Sequence, residues 1–329
     1  MAEDPRERSH PSRVAVVGVG NVGASFAYAV VLSGLASELV LIDVDTRRAE
    51  GEAMDLAHAV PFTKPIRVWA GDYDDCAGAA VTVITAGTAQ RPGESRRDLL
   101  QRNAGIFGQI IPRVAKANPD GIIVVTTNPV DVLAYESWKV SGLEPGRVIG
   151  SGTILDTARF RSLLSDHFGV DPRSVHAFIA GEHGDSEVPI WSSANIAGMH
   201  LPDFCTANGL TYDQTEMDAI FGRTRDAAYE IIARKGATYY AVGAGLLRIV
   251  EAIIRDQRTV LSVSSLVNDY YGISDVYLSL PCVVTRRGVE RILRLDLSPS
   301  EATGLRQSAA VLRDMIDDLA GPTDAPRQA

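Results

Sequence analysis

Lysine is scarce in this chain. Only Lys64, Lys116, Lys139 and Lys235 occur among 32 basic residues, and 41 acids leave a net charge of −9 over 329 residues. That acidic balance argues against a nucleic-acid partner, because neutralising phosphates needs a basic face. It argues equally against binding to an anionic membrane surface. The preference for arginine fits either heat adaptation or genome composition. Cysteine is also sparse. Cys76, Cys205 and Cys282 are scattered, odd in number and in no metal or redox spacing, which excludes a disulfide framework and suits a reduced, cytoplasmic protein. No run approaches the roughly 18 to 20 apolar residues that cross a bilayer. Met1 to Arg13 is polar and lacks the apolar stretch of a signal peptide. No second histidine stands at ligand spacing from His183, so no metal site is expected. Aromatic residues make up 6%, and the stretch from Glu187 to Trp191 reads as packing rather than a base-stacking platform.

What is present is a strong apolar pattern. Apolar residues are 46% of the chain, enough for a packed core in two domains or one large α/β unit. Near-continuous β-branched runs at Val14–Val17, Leu39–Asp43, Ile66–Trp69, Val81–Thr85, Ile122–Thr126 and Val148–Ile149 read as strands buried on both faces. Helical patterns at 21–34, 46–57, 95–117 and 131–140 alternate with them. The spacing predicts a Rossmann doubly wound parallel sheet over 13–150. Past residue 150 the pattern changes. A helix over 153–167, a strand at Val175–Ala180 and a helix near 213–233 are followed by two antiparallel strands, Thr259–Val267 and Val276–Val284. A last helix covers 299–319, with Ser298 and Pro299 at its start. This is expected to be a second, α+β substrate domain over 151–320. The polar ends, 1–12 and 321–329, are expected to be disordered tails. No internal repeat or low-complexity segment is visible.

The motif Gly18-Val-Gly20-Asn-Val-Gly23 follows a strand and opens a helix. Its glycines allow a tight turn, close approach of a pyrophosphate and close helix–strand packing, and the helix N-terminus faces the phosphates. Twenty residues on, Asp43 ends the next strand. An acid there accepts bonds from ribose hydroxyls and repels a 2′-phosphate, which favours NAD over NADP. The alternative is a glycine turn and a strand-ending acid that hold no dinucleotide.

His183 lies in Gly181-Glu-His183-Gly-Asp185, among glycines and acids. A histidine can trade a proton near neutral pH, and a carboxylate can fix its tautomer. An arginine-bearing loop runs from Ala86 to Arg96, rich in Gly, Pro and polar residues. Dinucleotide site, proton-transfer residue and guanidinium groups for an anion together describe hydride transfer to a keto acid.

With their neighbours these residues resemble the L-lactate and malate dehydrogenase family, from Arg13 to about Ala320. The resemblance rests on the glycine motif, the Gln90-to-Arg96 loop, Thr127-Asn-Pro-Val-Asp131, Gly152-Thr-Ile-Leu-Asp156-Thr-Ala-Arg159-Phe-Arg161 and the His183 segment. It implies that His183 is the proton donor and acceptor and Asp156 its partner, although Asp156 also reads as a helix-start cap. It implies that Arg159 grips the substrate carboxylate, in the forked geometry a lysine cannot reproduce, where the plain alternative is a surface arginine. Arg96 is implied to polarise the carbonyl from a closing lid, Asn128 to bond the substrate oxygen, and Gln90, Asp131 and Thr238 to line the substrate pocket. Cofactor contacts are implied for Gly18, Gly20, Val22, Gly23, Asp43, Arg48, Tyr73, Ala86, Gly87, Thr126, Asn128 and Ser151. The implied assembly is a homotetramer, or sometimes a dimer.

Within the family, malate-specific members place arginine six residues before the lid arginine, where this chain has Gln90. A neutral side chain would leave the second carboxylate of oxaloacetate unpaired. Pyruvate and L-lactate are therefore the expected substrates, and Thr238 fits a pocket closed around a methyl group. Arg91 is adjacent, so malate dehydrogenase stays open, as does a catalytically idle NAD-binding protein. Arg161 and His176 match the positions that bind fructose 1,6-bisphosphate in allosteric bacterial members of the family. The alternative there is a surface arginine and a hydrogen-bonded histidine in an unregulated enzyme.

Overall fold

The computed structural model describes residues 12–88 and 95–320, except the side chains of Arg96 and Ala320. Gln90, Arg91 and the expected tails, Ser12 aside, lie outside the described residues. The first strands, β1 (Arg13–Val17), β2 (Glu38–Ile42), β3 (Arg67–Ala70), β4 (Ala79–Ile84), β5 (Ile122–Val125) and β6 (Val148–Gly150), are the apolar runs of the sequence. They pair in parallel in the order β3-β2-β1-β4-β5-β6. All four residues of β5 and four of five in β1 are buried. Burial on both faces is what continuous Val/Ile runs need. The order reverses between β1 and β4, and a crevice opens there at the carboxyl ends of the strands, the usual ligand position of such sheets.

The helices α1 (Asn21–Ser33), α2 (Thr46–Ala59), α3 (Arg96–Ala117) and α4 (Val130–Ser141) cover the sheet. Each boundary has a local cause. Asp45 caps α2 by accepting from the Arg48 amide. Ser95 and Asp98 form a capping box at the start of α3. Gly34 and Gly142 end α1 and α4 in the left-handed conformation, at φ of 60° and 68°.

The second half holds α5 (Ile154–Phe168), β7 (Val175–Ala180), β8 (Val188–Ile196), β9 (Met199–His200), α6 (Leu201–Ala207), α7 (Gln214–Lys235) and α8 (Tyr240–Ile254). It ends in β10 (Thr259–Val267), β11 (Val276–Thr285), β12 (Gly288–Ile292) and α9 (Pro299–Ala320). Strands β7, β8 and β9 form an antiparallel sheet. A separate core of Phe160, Leu164, Ile179, Ile196 and Met217 lies between that sheet, α5 and α7.

The expected antiparallel pair β10–β11 is present, but it does not stay within the second half. Ser264 pairs with Gly150, so β10, β11 and β12 extend the parallel sheet to nine strands among the described residues. Gly150 allows this approach, because a Cβ there would meet the Ser264 Cβ at 2.8 Å. Five elements go beyond the sequence pattern: β8, β9, α6, α8 and β12. In α8, Gly243 and Gly245 weaken the helical signal, yet Gly243 lets α8 lie against α1, where a Cβ would meet the Phe26 amide nitrogen at 3.1 Å. Strand β8 takes in part of the stretch expected only to pack, and the short β12 carries no signal of its own.

Candidate active site

The glycine turn between β1 and α1 has the shape the motif predicts. Gly18 has a φ of +96°, and a Cβ there would meet the Ala86 nitrogen at 2.4 Å. A Cβ on Gly23 would meet the Gly18 carbonyl oxygen at 2.0 Å, so α1 reaches the strand end only because residue 23 is glycine. The space beside Gly20 is open to 4 Å, and no side chain caps α1 there. The uncapped amides thus face an open cradle, as a pyrophosphate requires. Asp43 braces the turn: one carboxylate oxygen accepts from the Val19 amide at 2.7 Å, the other from the Asp45 amide at 3.0 Å. Tyr73 lies under the Arg113 guanidinium, 4.0 Å from ring centre to Cζ. Arg48 is exposed on the first turn of α2. The residues present fit a dinucleotide.

Beyond the turn, Val22, Gly87, Thr126, Asn128 and Ser151 line one half of a cleft of about 290 Å³, together with Arg159, His183 and Thr238. Ala86 holds the strand ends together, its amide donating to the Val17 carbonyl at 2.8 Å. The second half, about 250 Å³, is shared by Asn128, Asp156, Arg159, His183 and Glu187. Expected cofactor and substrate residues from both halves of the chain, among them Asn128, Asp156, Arg159, His183 and Thr238, thus meet in one crevice.

At its centre the His183 Nδ1–H donates to Asp156 at 2.5 Å. Asp156 is on the first turn of α5, and its other oxygen accepts from Arg159 at 3.0 Å, one turn further along. Asp156 is therefore no helix cap; its carboxylate points at two cations. Burial opposes its ionisation, but the charge and hydrogen bond of His183, then Arg159, outweigh it and hold the carboxyl below its usual range. Burial likewise opposes a charge on His183, yet Asp156, with help from Asp131 and Glu187, pushes the imidazole up to about 9.

The His183 segment is pinned on three sides. Gly181 forms a two-bond bridge with Ser279 of β11, at 2.9 and 3.0 Å. Its φ of +96° requires glycine, and so does the Ser308 hydroxyl, which a Cβ at this position would meet at 2.7 Å. Ser308 of α9 also accepts from the Glu182 amide at 2.7 Å. Asp131 accepts from the His183 amide at 2.8 Å and from the Ser279 hydroxyl at 3.3 Å. This differs from the expectation for Asp131. It is 2% exposed with its oxygens turned to protein groups, so the geometry makes it a support of the His183 backbone rather than a wall of the pocket. Burial pushes its carboxyl up to about 6, against the pull of the His183 amide.

Several residues in or behind the cleft carried no motif. Asn103, fully buried on α3, accepts from the Thr88 amide at 2.9 Å and donates to the Asn128 carbonyl at 3.0 Å. A polar residue on the apolar face of a helix was the available signal. Ile154, Leu155, Ile232 and Val242 form apolar wall with nothing in sequence to distinguish them from core. Arg161 and His176 lie away from the cleft. Arg161 donates to the Ala177 carbonyl at 2.8 Å and stacks on Phe178, while His176 is exposed on β7. Of the expected lid loop, the described residues are 86–88 and the capped start of α3, whose first residue is Arg96. Among the described residues no group of three or more His, Cys, Asp or Glu could hold a metal, and no helix is long and apolar enough to cross a membrane.

A doubly wound sheet, a dinucleotide cradle and a carboxylate–histidine–arginine cluster beside it define an NAD-linked oxidoreductase. Comparison with known proteins narrows the class. The family model for the lactate/malate dehydrogenase NAD binding domain matches residues 12–150, and that for the family's alpha/beta C-terminal domain matches 153–321. The chain is 52% identical to L-lactate dehydrogenase of Priestia megaterium over 305 residues, 93% of this chain and 96% of that one. It is 48% identical to L-lactate dehydrogenase of Thermoanaerobacter pseudethanolicus, over 94% and 99% of the two chains. Among solved structures, a lactate dehydrogenase from a deep-sea metagenome library of the Medee basin superposes with a TM-score of 0.91 at 47% identity, over 94% and 99%. The minor L-lactate dehydrogenase of Enterococcus mundtii does so with 0.91 at 41%, over 95% and 99%. The chain belongs to the lactate/malate dehydrogenase family, and its first half is that family's NAD-binding domain.

Proposed function

We propose that this protein is an NAD-dependent L-lactate dehydrogenase that interconverts pyruvate and L-lactate, the last step of fermentative glycolysis in the cytoplasm. The observation that carries the reading is the His183–Asp156–Arg159 cluster facing the crevice beside the dinucleotide cradle. A bound nicotinamide would supply or take up the hydride. Gly18, Gly20 and Gly23 would hold the pyrophosphate against the start of α1, and Asp43 the ribose. Arg159 binds the substrate carboxylate; one of its nitrogens is engaged by Asp156, and a guanidinium has further donors for a paired contact. His183, charged by its contact with Asp156, donates a proton to the keto oxygen as it becomes the alcohol, and takes it back in the reverse direction. Asn128 bonds the same oxygen and Arg96 polarises it from the lid. Thr238 and Gln90 close the pocket around the methyl group, and Asp131 keeps His183 in place.

The division at about residue 150, a homotetrameric assembly and activation by fructose 1,6-bisphosphate at Arg161 and His176 belong to the same proposal. The direct test is NADH oxidation with pyruvate and with oxaloacetate, side by side. Pyruvate is expected to be strongly preferred. Gln90→Arg is expected to move the ratio of kcat/KM towards oxaloacetate by about 30- to 1,000-fold, the worth of a desolvated charge pair of about 2–4 kcal/mol. A preference of the wild type for oxaloacetate would overturn the reading, and an unmoved ratio in the variant would shift suspicion to Arg91.

A further inference from the structure

Glu187 has no part in the chemistry described so far. It follows His183 by four residues, immediately before β8, and it is 7% exposed. Its Oε1 has no hydrogen-bond partner among the described residues. The side chain lines the half of the cleft that Asp156, Arg159 and His183 share. The other charged groups facing that space are Glu182 and Asp185 from the His183 segment and Arg225 from α7. A buried carboxyl group ionises only with the help of nearby cations, because desolvation penalises the charge. Every cation here is either the proton donor or a guanidinium of the site.

We propose that Glu187 is a positioning residue that sets how tightly His183 holds its catalytic proton, as a second anion of the site beside Asp156. The inference rests on the reading of His183 as proton donor. Asp156 acts on the imidazole through a hydrogen bond, whereas Glu187 acts through its field. Its ionisation is opposed by burial and by the charge of Asp156, and favoured by His183, Arg159 and Arg225, which leaves the carboxyl at about 8. Glu187 is thus largely neutral when a carboxylate substrate enters at neutral pH, so Arg159 meets little competition. As pH rises Glu187 releases its proton to solvent, and the anion left behind favours the imidazolium. The two groups titrate as a pair, each extending the range over which the other keeps its charge.

The test is the pH profile of kcat/KM for pyruvate between about pH 6 and 10, in wild type, Glu187→Gln and Glu187→Asp. Removing the negative charge that Glu187 places in the space it shares with His183 is expected to move the alkaline limb down by about one pH unit in Glu187→Gln. Glu187→Asp should return it most of the way, and the limb of lactate oxidation should move in the same direction. A packing role would lower the rate at every pH and leave the limb in place; that result overturns the proposal. If Glu187→Gln does not fold, the His183 Cε1–H resonance of the wild type gives the same answer: two inflections support the coupling and one overturns it. A wild type without pyruvate activity at any pH would remove the proton-donor reading itself, which is distinct from an active enzyme whose limb does not move.

Discussion

A histidine that holds its proton to about pH 9 fixes the sign of the reaction's pH dependence. Pyruvate reduction needs the imidazolium, so its kcat/KM is expected to stay level through neutral pH and fall about tenfold per unit above about 9. Lactate oxidation needs the neutral ring and should rise over the same range; a reduction rate that fell between pH 6 and 7 would contradict the pairing with Asp156. The same shift enters stability. The folded-state pKa is above the unfolded value near 6.5, so the contribution is complete below pH 6.5 and is lost as pH rises through about 9. His183→Asn is expected to leave NADH binding nearly intact and cut pyruvate turnover by about 10² to 10⁴-fold, the usual contribution of a general acid. Fluorescence titration with NADH and steady-state assay separate the two effects, and near-normal turnover would sink the assignment. At this scale the sequence was legible where a residue's chemistry stands out against its neighbours, as with His183 among glycines. It was not legible for Asp131, Asn103 or Glu187. Their meaning comes from partners such as the His183 amide, 52 residues from Asp131, and the Asn128 carbonyl, 25 residues from Asn103.

Elements were legible where period and cap agreed. The strands of the parallel sheet announce themselves as continuous apolar runs, and Ser95–Asp98 and Ser298–Glu301 mark the starts of α3 and α9. Helix α8 escaped because its two glycines serve contacts with α1 and Ile154 that no local pattern encodes. The turn into α1 is the element on which the cofactor site depends most. Both atoms in the close approach at Gly23 are backbone or tied to it, so a methyl group cannot be relieved by a rotamer change. Gly23→Ala is expected to push α1 off the strand end, cost about 1–3 kcal/mol of stability and weaken NADH binding at least tenfold. A thermal melt and an NADH titration measure both. If binding were unchanged, the pyrophosphate would not lie on this turn.

At the scale of the whole molecule, several apolar side chains remain uncovered, among them four on α1, α2 and α8. Tyr28 and Leu32 on α1, Met54 on α2 and Tyr240 on α8 are 50%, 54%, 62% and 71% exposed, although α1 packs against α8. Such surface is usually covered by another subunit, which supports the proposed homo-oligomer. The proposed effector site lies elsewhere, where Arg161 on α5 rests on Phe178 of β7 and His176 is exposed two residues before it. Arg161 shares α5 with Asp156 and Arg159, and β7 leads into the His183 segment, so whatever shifts these two elements also shifts the catalytic cluster. A bisphosphate between two such sites would replace repulsion of like charges with charge-assisted hydrogen bonds and favour the tighter subunit contact. Linkage then requires that an effector that tightens pyruvate binding be itself bound more tightly, by the same factor, when pyruvate is present, and the apparent KM for pyruvate is expected to fall with it. The effect should be largest in dilute enzyme, where subunits dissociate. The measurement is KM for pyruvate with and without millimolar fructose 1,6-bisphosphate, in wild type and Arg161→Gln. An unchanged KM in dilute wild type would remove the regulatory proposal, and equal activation of both proteins would place the effector away from Arg161.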